Sequence, residues 1–222
     1  MRKIFITIIL LVISLCLMAQ EVDTLNINFA LLNPEIINLE LRIFAPMQRI
    51  YITADFSVDK DALPEATYYS IFLTKDAIIE QLMVNDQFAP CIYASELVPE
   101  HFNPIFPFPE MLKEKNNVNC LSFYLPNFSG KINFKLRYSL PIPEWIKESD
   151  IRGYVTFSSS QNWFPRNLVS PSKIYARLLS SKNYTMELGT QCTIKEQDGL
   201  RTTEGYFIDA PGQQTIFKII KS

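Results

Sequence analysis

The residue types that most often carry chemistry in enzymes are scarce in this chain. His101 is the one histidine among 222 residues, so no pair of imidazoles is present to bind a metal ion. A serine or cysteine nucleophile would need His101 as its base, and no Gly-x-Ser-x-Gly turn accompanies it. The six glycines form no glycine-rich loop and no Gly-Lys-Ser/Thr element, so the usual phosphate cradles are missing. The sequence therefore predicts no catalytic residue, no metal site and no cofactor.

Paired carboxylates occur, but their surroundings are typical of turns. Asp59 and Asp61 flank Lys60, and acidic side chains are common in turns because they cap and solvate the backbone. The segment 55–61 contains several oxygen ligands, but it lacks the glycine of a calcium loop and includes the bulky Phe56. We therefore expect these carboxylates to serve the local backbone.

The cysteines show no pattern that would build a site. Cys91, Cys120 and Cys192 follow the N-terminal segment, and they are far apart in the sequence. Neither the spacing of a zinc knuckle nor a disulfide framework is present. One disulfide with a third thiol left over stays open, but the sequence favours three partly buried thiols that pack as small apolar side chains.

Aromatic side chains are the best candidates for contact with a partner. A proline-rich segment contains Phe102, Phe106 and Phe108, and proline stiffens the backbone while the rings offer a large contact area. If exposed, these rings would form a docking surface, but we favour a loop that folds them over the end of the core. Trp145 and Trp163 are candidate platforms for a sugar, although tryptophans in β proteins more often pack in the core or at an edge.

The elements that position these side chains are mostly strands. Runs of alternating apolar and polar residues recur along the chain, and the clearest is Lys131–Tyr138. Turn dipeptides separate the runs, and Asp198 with Gly199 between two of them predicts a hairpin. Helical patterns are limited to a turn or two at 97–101, 110–115 and 143–148. The sequence predicts an all-β fold, either a β-sandwich or a strongly curved, saddle-like antiparallel sheet with few short helical turns.

The first residues have the order of an export signal. Arg2 and Lys3 precede an apolar run of about 15 residues, shorter than the about 20 of a membrane span, and Ala19 offers a small residue for cleavage. We expect residues 1–19 to be a removed signal peptide, with retention as an anchor left open. Residues 20–222 then form a single β-sandwich-like domain that is secreted or periplasmic and not integral to the membrane.

The charge of the chain narrows the class of partner. Removal of Arg2 and Lys3 changes the formal net charge from −2 to −4. Nucleic-acid binding needs a basic face that neutralises phosphates, so this mildly acidic chain is expected to have no nucleic-acid partner.

The last third of the sequence carries a characteristic order of motifs. A Trp-x-Pro element at 163–165 is followed by a strand at 175–178, Tyr184, the hairpin at 198–199 and Pro211 before the final strand. That order resembles the end of the N-terminal β domain of the aminopeptidase N family of zinc metallopeptidases. One departure is that Ser181 to Asn183 stand where the family usually has a proline before the tyrosine.

The resemblance implies a fold and no peptidase activity. In that family the zinc motif HExxH and the Gly-x-Met-Glu-Asn motif lie in the following catalytic domain, and neither motif occurs in this sequence. The chain ends at Ser222, where that domain would begin. No catalytic residue of the family is therefore carried over to a position of this chain.

Three functions follow as expectations, together with an enzyme that uses an unrecognised carboxylate site. The first is an exported, non-catalytic β module that binds a protein or cell-envelope partner. The second is an accessory subunit that supplies the N-terminal domain of a separately encoded zinc aminopeptidase. The third is a carbohydrate-binding β-sandwich. Sequence favours the first because of the signal pattern, the strand pattern, the absence of a catalytic set and the segment rich in phenylalanine and proline. A fold by itself does not assign function.

Overall fold

Strands make up most of the described part of the chain, and turns and irregular segments connect them. The computed structural model describes residues 29–44, 48–94, 118–125, 128–142, 154–181 and 184–221. Its strands are β1 Phe29–Leu31, β2 Ile36–Phe44, β3 Arg49–Asp59, β4 Tyr68–Thr74, β5 Ile78–Val84, β6 Gln87–Phe88, β7 Cys91–Ala94, β8 Val118–Phe123, β9 Lys131–Pro141, β10 Tyr154–Ser158, β11 Ser172–Ser181, β12 Tyr184–Glu187, β13 Thr193–Gln197, β14 Leu200–Asp209 and β15 Ile216–Lys221. The all-β class predicted from the sequence is confirmed.

Helical structure in these residues is limited to two single 3-10 turns, Lys60–Ala62 and Ser159–Gln161. The helical turns expected at 97–101, 110–115 and 143–148, and the signal peptide at 1–19, lie outside the described residues. No helix in the described part has the length and hydropathy needed to cross a bilayer.

The strands form three sheets. The largest has eight strands in the order β13-β14-β11-β2-β3-β9-β5-β6. A four-stranded sheet has the order β1-β4-β8-β7, and a three-stranded sheet has the order β10-β15-β12.

Alternation along the strands gives the large sheet an inner and an outer face. In β3, Ile50, Ile52 and Ala54 are buried, whereas the intervening Tyr51 and Thr53 are partly exposed. Successive side chains of a strand point to opposite faces, and the register places the buried residues of neighbouring strands in rows. The inner face is therefore continuous across β2, β3, β9 and β11.

Two strand pairs are parallel, which differs in detail from the antiparallel sheet that the sequence predicted. Leu39 of β2 lies opposite Ala176 of β11 in a parallel pair, and β1 runs parallel to β4. Parallel pairing joins segments that are distant in the sequence through crossover connections. The alternation of apolar and polar residues within one strand does not indicate which distant strand pairs with it. The mixed topology is therefore visible only in the structure.

Both small sheets pack on the inner face of the large one. A single buried cluster contains Ile71 of the four-stranded sheet, Phe217 of the three-stranded sheet and the inner rows of the large sheet. The rings of Phe123 and Phe134 join β8 to β9 with a centroid distance of 5.5 Å. Removal of this apolar surface from water, worth about 25 cal/mol per Å², is the main force that holds the layers together.

The predicted hairpin at Asp198 and Gly199 is present between β13 and β14. Both residues have positive φ, 51° and 80°, as a two-residue turn matched to the twist of its strands requires. Asn85 and Asp86 make an equivalent turn between β5 and β6, with φ of 48° and 63°.

Candidate functional site

Four of the five predicted partner-binding residues lie outside the described residues. These are Phe102, Phe106, Phe108 and Trp145. His101 lies there as well. The proposed partner-binding role of the three phenylalanines and Trp145 stays a prediction.

Trp163, the fifth, is a core residue with 1% of its surface exposed. Its ring lies 4.7 Å from that of Phe164 and 5.0 Å from that of Phe217, measured between centroids. The Tyr138 hydroxyl donates a hydrogen bond of 2.8 Å to the Trp163 carbonyl oxygen. The ring is therefore covered by the protein's own side chains and is not presented to a ligand in this structure.

The carboxylates of the first 3-10 turn serve the backbone, as the sequence indicated. Asp59 ends β3 and accepts a hydrogen bond from the Asp61 amide at 3.1 Å, and Asp61 in turn accepts one from the Gly130 amide at 3.1 Å. Residues 55–59 are strand rather than loop, so this segment does not wrap a cation. Among the described residues, no group of three histidine, cysteine, aspartate or glutamate side chains converges as metal ligands do.

Within the described part of the chain, Cys91, Cys120 and Cys192 are free thiols. Burial raises the pKa of Cys120 to about 11, against weaker opposing hydrogen bonds from Ser122 and Ser70. Burial also raises the pKa of Cys91 and of Cys192. All three are therefore protonated and poorly nucleophilic at neutral pH.

The most distinctive surface is the outer face of the eight-stranded sheet. Tyr175 of β11 and Tyr206 of β14 are opposite each other in register and are 41% and 46% exposed. Lys173 places its Nζ 4.8 Å and 4.6 Å from the centroids of these two rings. This cation–π contact holds the rings and the ammonium together in what we call the tyrosine pair. A hydrogen bond with Tyr175 is the main cause that raises the pKa of Lys173, so its charge is kept at neutral pH.

A groove of about 500 Å³ lies beside the tyrosine pair on the same face. It runs over β2, β3 and β9 and into the β5–β6 turn, and we call it the polar groove. Its outward side chains are amides, carboxylates, a hydroxyl and ammonium groups, with one aliphatic residue: Asn38, Asn133, Asp55, Asp86, Ser57, Lys131, Lys135 and Ile36.

A second groove, of about 590 Å³, lies toward the opposite end of the outer face. Tyr51, Leu179 and Leu200 supply its apolar walls, and Arg42 lies at its side. Leu200 is 57% exposed. We call this the apolar groove.

A row of charged side chains separates the two grooves. Arg177 Nε lies 3.2 Å from Glu204 Oε1, and Lys195 Nζ lies 3.4 Å from Glu204 Oε2. Glu40, which is opposite Arg177 in register, pairs with Arg42 at 2.7 Å. Ion pairs this exposed contribute little to stability.

Sequence reasoning missed both grooves and the tyrosine pair. A signal was present, because Tyr175 has the same parity along its strand as Lys173 and Arg177, two residues that must face water. An aromatic ring at a solvent-facing position between two basic residues indicates an exposed ring. The second ring, Tyr206, could be joined to it only by knowing that β14 pairs with β11.

No family model and no curated sequence matches this chain. Its fold, however, is similar to that of solved M1 zinc metallopeptidases. The enzyme from Deinococcus radiodurans, solved with a Tyr-Ser-Ala substrate, matches with a TM-score of 0.53 and 12% identity over 84% of this chain and 42% of its own. A two-domain M1 zinc metallopeptidase bound to L-tryptophan matches with the same TM-score, identity and coverage.

Yeast LTA4 hydrolase is similar with a TM-score of 0.52 and 6% identity, over 85% of this chain and 29% of its own. The chain thus spans less than half the length of these solved proteins. At such identities the likeness concerns the fold. The structure therefore confirms the resemblance found in the sequence: this chain has the β architecture of one part of the M1 zinc metallopeptidases.

Proposed function

We propose that this chain is an exported, non-catalytic β module that works by binding a protein partner. The apolar groove on the outer face is the observation that carries the proposal. Apolar side chains exposed beside charged residues occur at protein interaction sites. The proposed export rests on the signal pattern of residues 1–19.

The apolar groove has the composition of an interface core. Leu179, Leu200 and Tyr51 supply aliphatic and aromatic surface, while Arg42 supplies a guanidinium at the side. Aromatic and arginine side chains are enriched at the centres of interfaces, where they gain most from the exclusion of water. The charged row beside the groove provides the polar rim that such interfaces have.

The fold comparison supports a role that depends on another protein body. One similar structure is a two-domain metallopeptidase, of which this chain covers 42%. In that protein the same architecture therefore occurs next to a larger remainder. The single histidine of this sequence supports the non-catalytic part of the proposal, since a two-histidine zinc site has no residues to build it.

The experiment is partner capture from the native cell envelope with a matched pair of variants. The tagged chain is crosslinked in its own cells, the partner is identified by mass spectrometry, and both proteins are then purified and titrated together. Leu200→Asp places a charge in the apolar groove, whereas Val169→Asp places one at an equally exposed apolar site outside its lining residues.

We expect Leu200→Asp to weaken binding of the purified partner at least tenfold and Val169→Asp to leave it unchanged. Equal affinity of both variants would move the interface away from the apolar groove. The failure of any purified partner to bind would reject the proposal itself. A zinc assay and a hydrolase screen on the pure chain test the alternative of an unrecognised carboxylate enzyme.

A second candidate, an accessory subunit of a separately encoded zinc metallopeptidase, is favoured by the fold comparison alone. It requires that the captured partner be a zinc peptidase and that added chain raise its activity on peptides. Capture of a protein of another class supports the general binding role and contradicts this narrower one.

A further inference from the structure

The tyrosine pair and the polar groove form one continuous stripe across the outer face of the large sheet. Tyr206, Tyr175, Asn38, Asp55 and Lys135 are successive neighbours in register on β14, β11, β2, β3 and β9. Neighbouring strands are about 4.8 Å apart, so four steps span about 19 Å. The stripe is therefore long enough for an extended ligand that contacts rings at one end and polar groups at the other.

The polar groups of the stripe are available to a ligand. The side chains of Asn38, Ser57 and Asn133 form no hydrogen bond with other described residues and line the same groove. Asp55 and Lys135 are joined only loosely, with 3.6 Å between Oδ1 and Nζ. Side-chain amides, carboxylates and hydroxyls offer donors and acceptors together, and so match ligands that carry both.

The charges of the groove favour a ligand without net charge. Asp55 and Asp86 balance Lys131 and Lys135 among the residues that line it. Lys173 at the tyrosine pair leaves the whole stripe with an excess of one positive charge. A phosphate-rich polymer would need an excess of basic groups. A peptide that adds a strand would need free backbone groups, but the stripe lies in the interior of the sheet, where the backbone is paired with neighbouring strands.

We infer that this stripe binds an uncharged oligosaccharide. Sugar rings present apolar C–H faces to aromatic rings and hydroxyls to amides and carboxylates, and the stripe offers both in one line. Tyr175 and Tyr206 contact the sugar faces, with Lys173 holding the rings in place. Asn38, Asp55 and Asn133 bind the hydroxyls of the following units. The site is separate from the apolar groove, and it replaces Trp163, whose ring is buried, as the sugar platform.

The test is binding of the purified mature chain to a printed array of bacterial, fungal, plant and animal glycans, followed by calorimetry with the best soluble ligand. Tyr175→Ala and Asn38→Ala remove a ring and an amide from the stripe. Tyr124→Ala is the matched control, because this tyrosine is 58% exposed and lies just beyond β8 of a different sheet.

We expect binding of at least one neutral glycan, with affinity about tenfold weaker in Tyr175→Ala and unchanged in Tyr124→Ala. Binding that survives Tyr175→Ala and Asn38→Ala together would place the sugar elsewhere and overturn the inference. The inference would also be overturned if the chain bound no glycan on the array, or if it bound acidic glycans alone. None of these outcomes bears on the protein partner, whose test uses the apolar groove.

Discussion

Strand β14 carries two carboxylates that each bind an arginine, one on either face of the large sheet. On the inner face, Asp209 receives hydrogen bonds from Arg166 Nε at 2.6 Å and Nη2 at 3.0 Å, and the two side chains are 0% and 1% exposed. On the outer face, Glu204 pairs with Arg177 at 3.2 Å, and the side chains are 37% and 52% exposed. The chemistry of the two pairs is the same, and their surroundings are opposite.

The difference shows how burial changes what an ion pair does. The inner pair is bidentate, and Arg166 Nη1 also donates to the Ser159 carbonyl oxygen at 3.0 Å. The pair thus ties the turn that precedes Trp163 to the end of β14, in a setting where a lone charge is very costly. The outer pair loses hydration when it forms its contact, so its net contribution to the free energy of unfolding is small.

The largest expected effect is on the inner pair. Arg166→Ala leaves the Asp209 carboxylate buried without its partner, and we expect the free energy of unfolding to fall by about 3 to 5 kcal/mol. Urea denaturation followed by circular dichroism measures it. Arg166→Met with Asp209→Leu removes both charges, so we expect the double variant to be more stable than Arg166→Ala. A double variant as unstable as the single one would show that shape, and not the unpaired charge, sets the loss.

The second prediction extends the comparison from ion pairs to a buried thiol. The pKa of Cys120 in the folded chain is about 11, above its ordinary value of 9.0, because of burial. Between these two values the unfolded chain releases this proton and the folded chain keeps it, so rising pH favours unfolding.

We expect this thiol to cost about 2 to 3 kcal/mol of stability as pH rises from 9 to 11, at about 1.4 kcal/mol per unit. Urea unfolding of wild type and Cys120→Ala at several pH values gives the difference in slope. Whatever the stability of the variant at pH 9, its decline over this range should be shallower. Parallel declines would show that Cys120 does not titrate in this range.

The third prediction concerns a buried neutral hydrogen bond. Tyr138→Phe removes the hydroxyl that donates to the Trp163 carbonyl oxygen and leaves this acceptor without that donor. We expect the free energy of unfolding, measured with urea, to fall by about 1 to 2 kcal/mol. The loss is smaller than for Arg166→Ala because the group left without its partner is a neutral carbonyl and not a buried charge. Tyr124→Phe, at a tyrosine that is 58% exposed, is the control. A loss larger than that of Arg166→Ala would reverse the order of the comparison.

The smallest effect is expected for the outer pair. Arg177→Ala should change the free energy of unfolding by less than about 1 kcal/mol, and added salt should reduce even that difference by screening. Urea unfolding at low and high ionic strength measures both. A loss comparable to that of Arg166→Ala would mean that burial is not what separates the two pairs.

Much of the fold could be predicted from the sequence, and much of the surface could not. The run Lys131–Tyr138 forms the first part of β9, and the turn at Asp198 and Gly199 joins β13 to β14. Alternation and turn residues are local signals, because a strand has a fixed period and a two-residue turn demands positive φ. These local signals did not show that β3 runs as far as Asp59, directly before the 3-10 turn that contains Asp61.

The candidate sites were beyond local reasoning for a different reason. Tyr175 and Tyr206 are 31 positions apart (206 − 175) and meet only because β11 and β14 are neighbours. Arg166 and Asp209 face each other because a turn folds back under the same sheet. Its residue type makes Trp163 a candidate sugar platform, but in the structure its ring packs against Phe164 and Phe217 in the core.

By itself, the sequence determined the strand period, the turn chemistry and the shortage of residues for metal or nucleophilic catalysis, since all of these depend on residue identity and near neighbours. Tertiary structure decided which face each side chain shares with which distant strand. It thereby separated the buried Asp209 from the exposed Glu204 and brought two tyrosines to one polar groove. The physical reason is that burial and cross-strand register arise from pairing between remote segments, which local alternation does not encode.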